Sequence, residues 1–264
     1  MASHNPAGRV VTHPPADEEF TEPLAKWYLP GKTALDFVLG SALLILTLPL
    51  ILAVALIVRL TSRGPAFFAQ TRLGKQGRLY SLYKLRTMVD DAEAGTGPVW
   101  SHADDPRVTP IGRFLRATHI DELPQLFNVV RGEMSLVGPR PERPELVTRI
   151  DWNIPLYHER LNVRPGMTGF AQLRLPPDSN MESVREKLAY DLYYVRHVGP
   201  WLDTRIILFT SLHLLRDFVR FLYSLVDLPG RRTVQRSTPS LEDVPAPKIV
   251  PVESDWEPSD MEVS

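Results

Sequence analysis

The chain has no cysteine in its 264 residues, so it can hold neither a disulfide framework nor a thiolate metal site, and thiol catalysis is excluded. Any metal must sit on carboxylates or imidazoles. Charge of one sign is not in excess either. The 30 Lys and Arg against 31 Asp and Glu leave a formal net charge of -1, which removes the whole-chain electrostatic argument for nucleic acid as a partner. Any basic patch must be local. The start of the chain lacks the basic segment of a signal peptide and carries Pro14, Pro15 and the acidic run Asp17, Glu18 and Glu19 instead. His119, His158, His197 and His213 lack metal-ligand spacing, and no internal repeat is visible. Long apolar runs are scarce, with one exception.

That exception is FVLGSALLILTLPLILAVALIV, from Phe37 to Val58, long enough to cross the hydrocarbon layer as one helix. Lys32 precedes it, while Arg59, Arg63, Arg72, Lys75, Arg78, Lys84 and Arg86 follow, which places the next domain on the cytoplasmic side by the positive-inside tendency. Pro49 lies mid-stretch and Asp36 at its start. A proline deletes one helical hydrogen bond and bends the chain, so both a straight span and a re-entrant helix hairpin bent at Pro49 fit the residues. The 25 prolines gather toward the two ends. The expected organisation is a disordered leader over 1–31, a membrane segment over 32–63, a catalytic domain over 64–227 and a disordered tail over 228–264.

Within the middle segment, Ala66 to Arg72 and Leu79 to Arg86 are β-prone runs around a loop holding Gly74 and Gly77, the pattern of a β-hairpin. Thr109 followed by Pro110 predicts a capped helix carrying Arg113 and Arg116. Another helix is expected from Asp121 and Glu122, since Pro124 fits only a first turn, with Gly132 as its stop. A polar helix is expected from about Met181 to Arg196. An amphipathic one from about Leu202 to Leu225 is suited to a bilayer surface. The fold class is α+β and mostly helical.

The densest polar constellation is Arg116, Asp121, Glu122, Arg140 and Arg143. Carboxylates at a helix start are favoured as anions by the free N–H groups, hence available as nucleophile, base or magnesium ligand, although ordinary helix caps carry the same residues. Met134 to Pro141 is too proline-bound for helix and aims Arg140 from a stiff loop, suited to phosphate or simply to solvent. Arg164 to Gly169 reads as a turn whose glycine amides could approach a phosphate or merely reverse the chain. Lys84 and Arg86 bring two cations toward the membrane face, where anionic head groups also attract them.

Taken in order, GPAFFAQTRLG (64–74), KLRTM (84–88), DDPRVTPIGRFLR (104–116), DELPQLFNVVRGEMSLVGPRP (121–141) and RPGMTGFAQ (164–172) resemble the bacterial sugar transferases. These are the monotopic phosphoglycosyl transferases that start glycoconjugate and exopolysaccharide assembly on undecaprenyl phosphate. DLYYVRHVGPWLDTRII (191–207) resembles the family's last block. The resemblance implies a re-entrant membrane helix hairpin kinked at Pro49, where many relatives place a serine before the proline; Leu48 stands there in this chain, with Thr47 one place earlier. It implies a chain bound to the bacterial inner membrane, with its active site on the cytoplasmic face.

The same resemblance makes Asp121 the nucleophile on a nucleoside diphosphate sugar, a UDP-sugar in the first instance, forming a phosphosugar-aspartate that undecaprenyl phosphate then takes up. Glu122 is implied as metal ligand or base, Asp121 and Glu122 as a magnesium site, and Arg116, Arg140 and Arg86 as phosphate-binding groups. Partners are the two substrates and membrane lipid, with room for downstream glycosyltransferases. Two other readings are a catalytically silent membrane scaffold for glycan-assembly proteins, drawn from the Pro-rich ends, and an anchored nucleotide-sugar hydrolase. The sugar itself is not legible.

Overall fold

The structure, a computed structural model, describes residues 23–92, 105–145, 147, 154, 156–176 and 181–225. The ends expected to be disordered lie mostly at 1–22 and 226–264, outside the described residues. The chain divides at Phe221 into two units, and of the second only the helical residues 222–225 are described. The first is mostly helical, with two small sheets and one long apolar helix near its start.

Helix α1 (Tyr28–Thr61) runs for 34 residues and begins inside the segment expected to be leader. It continues through Pro49, which supplies no N–H to the carbonyl of Ile45. Two residues earlier, the Thr47 hydroxyl donates to the Leu43 carbonyl at 2.7 Å, a back-bond of the kind that bends helices. One stripe of the helix is buried: Tyr28, Lys32, Asp36 and Gly40 toward the start, then Ile51, Val54, Ala55 and Val58 toward the end. Between them Ile45 and Leu46 are 73% and 75% exposed. Both arms pack on the same unit. Gly40 lies so close to Val129 that a Cβ there would sit 2.9 Å from its Cγ1, whereas Val54, Ala55 and Val58 join Leu85 and Leu115 in a core cluster.

The first arm is tied down by a buried polar network. Lys32 Nζ meets Asp203 at 2.7 Å and Asp36 at 3.8 Å. Tyr28 and Tyr194 donate their hydroxyls to Asp203 at 3.0 and 2.8 Å, and Asp36 accepts the Leu136 amide at 3.1 Å. A buried ammonium is tolerated here because two carboxylates flank it and phenols donate to the nearer one, Asp203.

Strands β1 (Phe67–Leu73) and β2 (Leu79–Leu85) form the expected antiparallel hairpin, with Phe67 opposite Leu85 and Leu73 opposite Leu79. Helix α2 (Pro110–Thr118) starts where the sequence predicts, with Thr109 Oγ1 accepting from the Gly112 amide at 3.0 Å. Helix α3 is Gln125–Val130. Two short strands not expected from the sequence, β3 (Ser135–Val137) and β4 (Gly166–Thr168), pair in parallel. Gly166 and Gly138 make that approach possible, since a Cβ on Gly166 would lie 2.0 Å from the Gly138 nitrogen. The segment expected to be a turn, either approaching a phosphate or merely reversing the chain, is instead strand over Gly166–Thr168, and its Gly166 amide is spent on the Pro139 carbonyl at 2.9 Å.

Helices α4 (Phe170–Arg174), α5 (Met181–His197) and α6 (Pro200–Leu225) complete the described elements. Tyr194, Val195, Val198 and Ile206 close the largest core cluster on Tyr28 and Val137. Outward, α6 shows Trp201, Leu208, Leu212, Leu215 and Phe218, the apolar face that the sequence predicts.

Candidate active site

The site is built by a reversal of the chain after α2. His119 ends that helix in the left-handed region at φ 56°, a strained choice for a residue with a Cβ. The chain turns at once into a single 3-10 turn, Ile120–Glu122, which carries both candidate carboxylates. The sequence reading put Asp121 and Glu122 at the start of an α-helix; that helix begins only after Pro124. Asp121 therefore caps nothing, and the stabilisation of its anion expected from helix N–H groups is absent.

Its environment does the opposite. Asp121 is buried, accepts no hydrogen bond from any described residue, and its carboxyl is pushed up to about 6, first by burial and then by the charge of Glu122. Lys84, His119 and Arg116 pull the other way without prevailing. Glu122 has the contrary fate. Its Oε1 atom accepts from Lys84 Nζ at 2.7 Å and from Arg140 Nη2 at 2.9 Å. Burial works to raise this carboxyl too, but Arg140 and Lys84 outweigh it and hold it well below the carboxylate range. Burial in turn lowers the Lys84 ammonium, with Glu122 opposing.

Arg140 reaches Glu122 from a loop held at every carbonyl from 139 to 142. The Pro139 carbonyl accepts from Gly166 N at 2.9 Å, that of Arg140 from Arg160 Nη2 at 2.8 Å, that of Pro141 from Arg72 Nη1 at 3.1 Å and that of Glu142 from Leu73 N at 3.1 Å. The stiffness expected of this loop thus comes from three separate elements, β1, β4 and the turn that carries Arg160, as well as from its prolines. The Arg140 side chain stays 44% exposed, which leaves it accessible to a ligand.

Arg116 is held beside the carboxylates by Thr87, whose hydroxyl accepts from its Nε at 2.9 Å and whose carbonyl accepts from Thr109 N at 3.0 Å. Arg86 goes elsewhere. It is buried, and its donors bind the Ser62 carbonyl and hydroxyl at 3.0 and 2.7 Å and the Arg63 carbonyl, which fastens the end of α1. The phosphate role given to it from the sequence does not match this use of its guanidinium. Arg143 lies against Glu145 at 3.5 Å, and Pro49 is remote in the apolar helix.

Lys84 is the site residue that sequence reasoning undervalued. It shares strand parity with buried Tyr80 and Leu82, and a lysine on the buried face of a hairpin is the signal that could have marked it. No cluster of three or more potential metal ligands exists among the described residues. Two neighbouring hard carboxylates, one of them without a hydrogen bond from any described residue, nonetheless fit magnesium, which takes one or two protein carboxylates and completes its shell from substrate phosphates and water.

Comparison with known proteins adds a family to this geometry. The description "Bacterial sugar transferase" matches residues 27–217. A putative undecaprenyl-phosphate N-acetylgalactosaminyl 1-phosphate transferase of Bacillus subtilis is 47% identical over 134 residues, 51% of this chain and 74% of that protein. A UDP-glucose:undecaprenyl-phosphate glucose-1-phosphate transferase of Caulobacter vibrioides is 44% identical over 186 residues, 70% of this chain and 69% of that protein. A UDP-N-acetylgalactosamine-undecaprenyl-phosphate N-acetylgalactosaminephosphotransferase of Aeromonas hydrophila is 39% identical over 187 residues, 71% of this chain. The chain spans only 44% of that last protein's length.

Proposed function

The chain belongs to the bacterial sugar transferase family, and from that premise we propose that it moves a sugar phosphate from a UDP-sugar to undecaprenyl phosphate, the first membrane step of an exopolysaccharide or glycoconjugate. The observation that carries the reading is the Asp121 carboxylate, buried and accepting no hydrogen bond from a described residue, beside a Glu122 already neutralised by Lys84 and Arg140.

In the forward reaction an Asp121 oxygen attacks the sugar-bearing phosphorus, the bond to the bridging oxygen of the diphosphate breaks, and uridine monophosphate leaves with that electron pair. An oxygen of undecaprenyl phosphate then attacks the same phosphorus and returns the Asp121 carboxylate, giving the lipid diphosphate sugar. Splitting the exchange lets each of two mutually repelling anions meet a fixed enzyme group instead of each other. Arg140 and Arg116 bind phosphate oxygens, and Lys84 with Arg140 keeps Glu122 ionised. Magnesium held by Asp121 and Glu122 would supply charge neutralisation on the phosphates.

The apolar helix is proposed to enter and leave one leaflet of the inner membrane, with the site on the cytoplasmic face. Support comes from its two arms, which pack on one unit while the turns between them are exposed. Purified protein with magnesium, undecaprenyl phosphate and a panel of UDP-sugars should release uridine monophosphate and form lipid-linked sugar with at least one donor. Free sugar phosphate formed equally without lipid would make the protein a hydrolase. Silence with every donor would favour a scaffold.

A further inference from the structure

Among the described residues outside the carboxylate cluster, the most deeply buried ion pair that the proposed chemistry does not use joins Arg160, in the 3-10 turn Tyr157–Asn162, to Asp191 on α5. Arg160 Nη2 meets Asp191 Oδ2 at 2.6 Å, with the two side chains 7% and 4% exposed. The same nitrogen donates to the Arg140 carbonyl at 2.8 Å. Nη1 donates to the Tyr157 hydroxyl at 2.7 Å, and the guanidinium carbon lies 5.1 Å from the centre of the Tyr157 ring. A small cleft lined by Arg140, Tyr157, Arg160 and Asp191 together with the apolar Val184 and Leu188 runs alongside.

Burying such a pair costs desolvation that its attraction only partly repays, so stability alone is a weak reason for its presence. Its connection is more informative. Pro139 and Pro141 flank Arg140 and already restrict the backbone there, because the residue before a proline is confined to extended conformations. Of the two peptide planes that meet at the Arg140 Cα, the one before is held at the Pro139 carbonyl by Gly166, and the one after is held at the Arg140 carbonyl, which Arg160 grips.

We propose that Arg160, set by Asp191 and Tyr157, is a positioning group that aims the Arg140 guanidinium at Glu122 and at the donor phosphates. The inference rests on the reading of Arg140 as a phosphate-binding residue, and it extends the active site to α5, through the first residue of the DLYYVRH block. Arg160 touches no reacting atom; it acts through one carbonyl. Removing the counter-ion should let the Arg140 loop drift, and displacements near 1 Å at a reacting centre cost on the order of 10²-fold in rate.

The test is a set of double-mutant cycles on the full chain, reading kcat/KM for the UDP-sugar. Asp191→Asn should lose roughly 10²-fold and Tyr157→Phe roughly tenfold. Both losses should shrink toward none in an Arg140→Ala background, and both should persist in an Arg116→Ala background. Tyr157→Phe leaves the ion pair in place and serves if Asp191→Asn fails to fold, with thermal unfolding in detergent as the check. Undiminished losses in the Arg140→Ala background would overturn the proposal, since the pair would then act without Arg140. Unchanged kcat/KM in Arg140→Ala alone would strike the phosphate-binding reading first, and the positioning role with it.

Discussion

Asp121 and Glu122, adjacent in one turn, are driven apart in acidity: burial lifts the Asp121 carboxyl to about 6, while Arg140 and Lys84 hold Glu122 far below its ordinary range. Two carboxylates with opposed environments are what a site needs when one must react and the other must stay charged. For stability the signs differ. The folded chain keeps a proton on Asp121 that the unfolded chain releases near pH 4, so stability is lost as pH rises through the window from about 4 to about 6. Asp121→Asn should therefore be more stable than wild type at pH 7, by on the order of 2 kcal/mol, and equal to it below about pH 4. Thermal unfolding of both proteins across that range checks the claim.

Reactivity follows the same ionisation. An Asp121 nucleophile is competent only as the anion, so kcat/KM should climb tenfold per pH unit below about 6 and level off above it. A profile flat from pH 5 to 8 would mean that another group limits the reaction.

Removing Glu122 should strand its two cations. Glu122→Gln is expected to lower stability by on the order of 2 kcal/mol, less than for a fully buried pair because Arg140 is substantially exposed. Without that counter-charge the Lys84 ammonium falls further, and its amine should react faster with acylating reagents at pH 8 than in wild type, as peptide mass mapping would measure.

Arg86 separates a structural cation from a substrate-binding one. Arg86→Met removes the donors to Ser62 and Arg63 and should destabilise the chain by on the order of 2 kcal/mol, while raising donor KM less than Arg140→Ala does. The reverse pattern would restore the phosphate role inferred from the sequence.

What the sequence disclosed follows from which interactions are local. The hairpin of β1 and β2 and the cap of α2 at Thr109 rest on alternation and on a three-residue spacing, and both were legible. Strands β3 and β4 were not, because each is three residues long and their pairing depends on the approach of Gly138 to Gly166, far apart in the chain. The Asp121-Glu122 pair stood out by composition, but its protonation did not. A nearby helix start predicts an anion, whereas the fold buries Asp121 in a turn with no cap to offer. Lys84 and Arg86 looked alike in sequence, and only the end of α1 pulls Arg86 out of the site.

The absence of cysteine allows membrane topology to be read with single introduced thiols. In Ser3→Cys and Ser237→Cys proteins, a membrane-impermeant maleimide should label both positions from the cytoplasmic side if the helix leaves by the leaflet it entered. Pro49→Leu restores the missing hydrogen bond and should move Ser3→Cys toward labelling from the opposite side. Opposite labelling in the unaltered helix would mean a straight span.

The most direct test of the account is isotope exchange without acceptor lipid. Labelled uridine monophosphate, incubated with the protein, magnesium and the unlabelled UDP-sugar that supports transfer, should be incorporated into that sugar nucleotide if a phosphosugar forms on the enzyme, and Asp121→Asn should abolish the exchange. Transfer to undecaprenyl phosphate with no exchange in its absence, or exchange that survives in Asp121→Asn, would contradict a covalent route through Asp121.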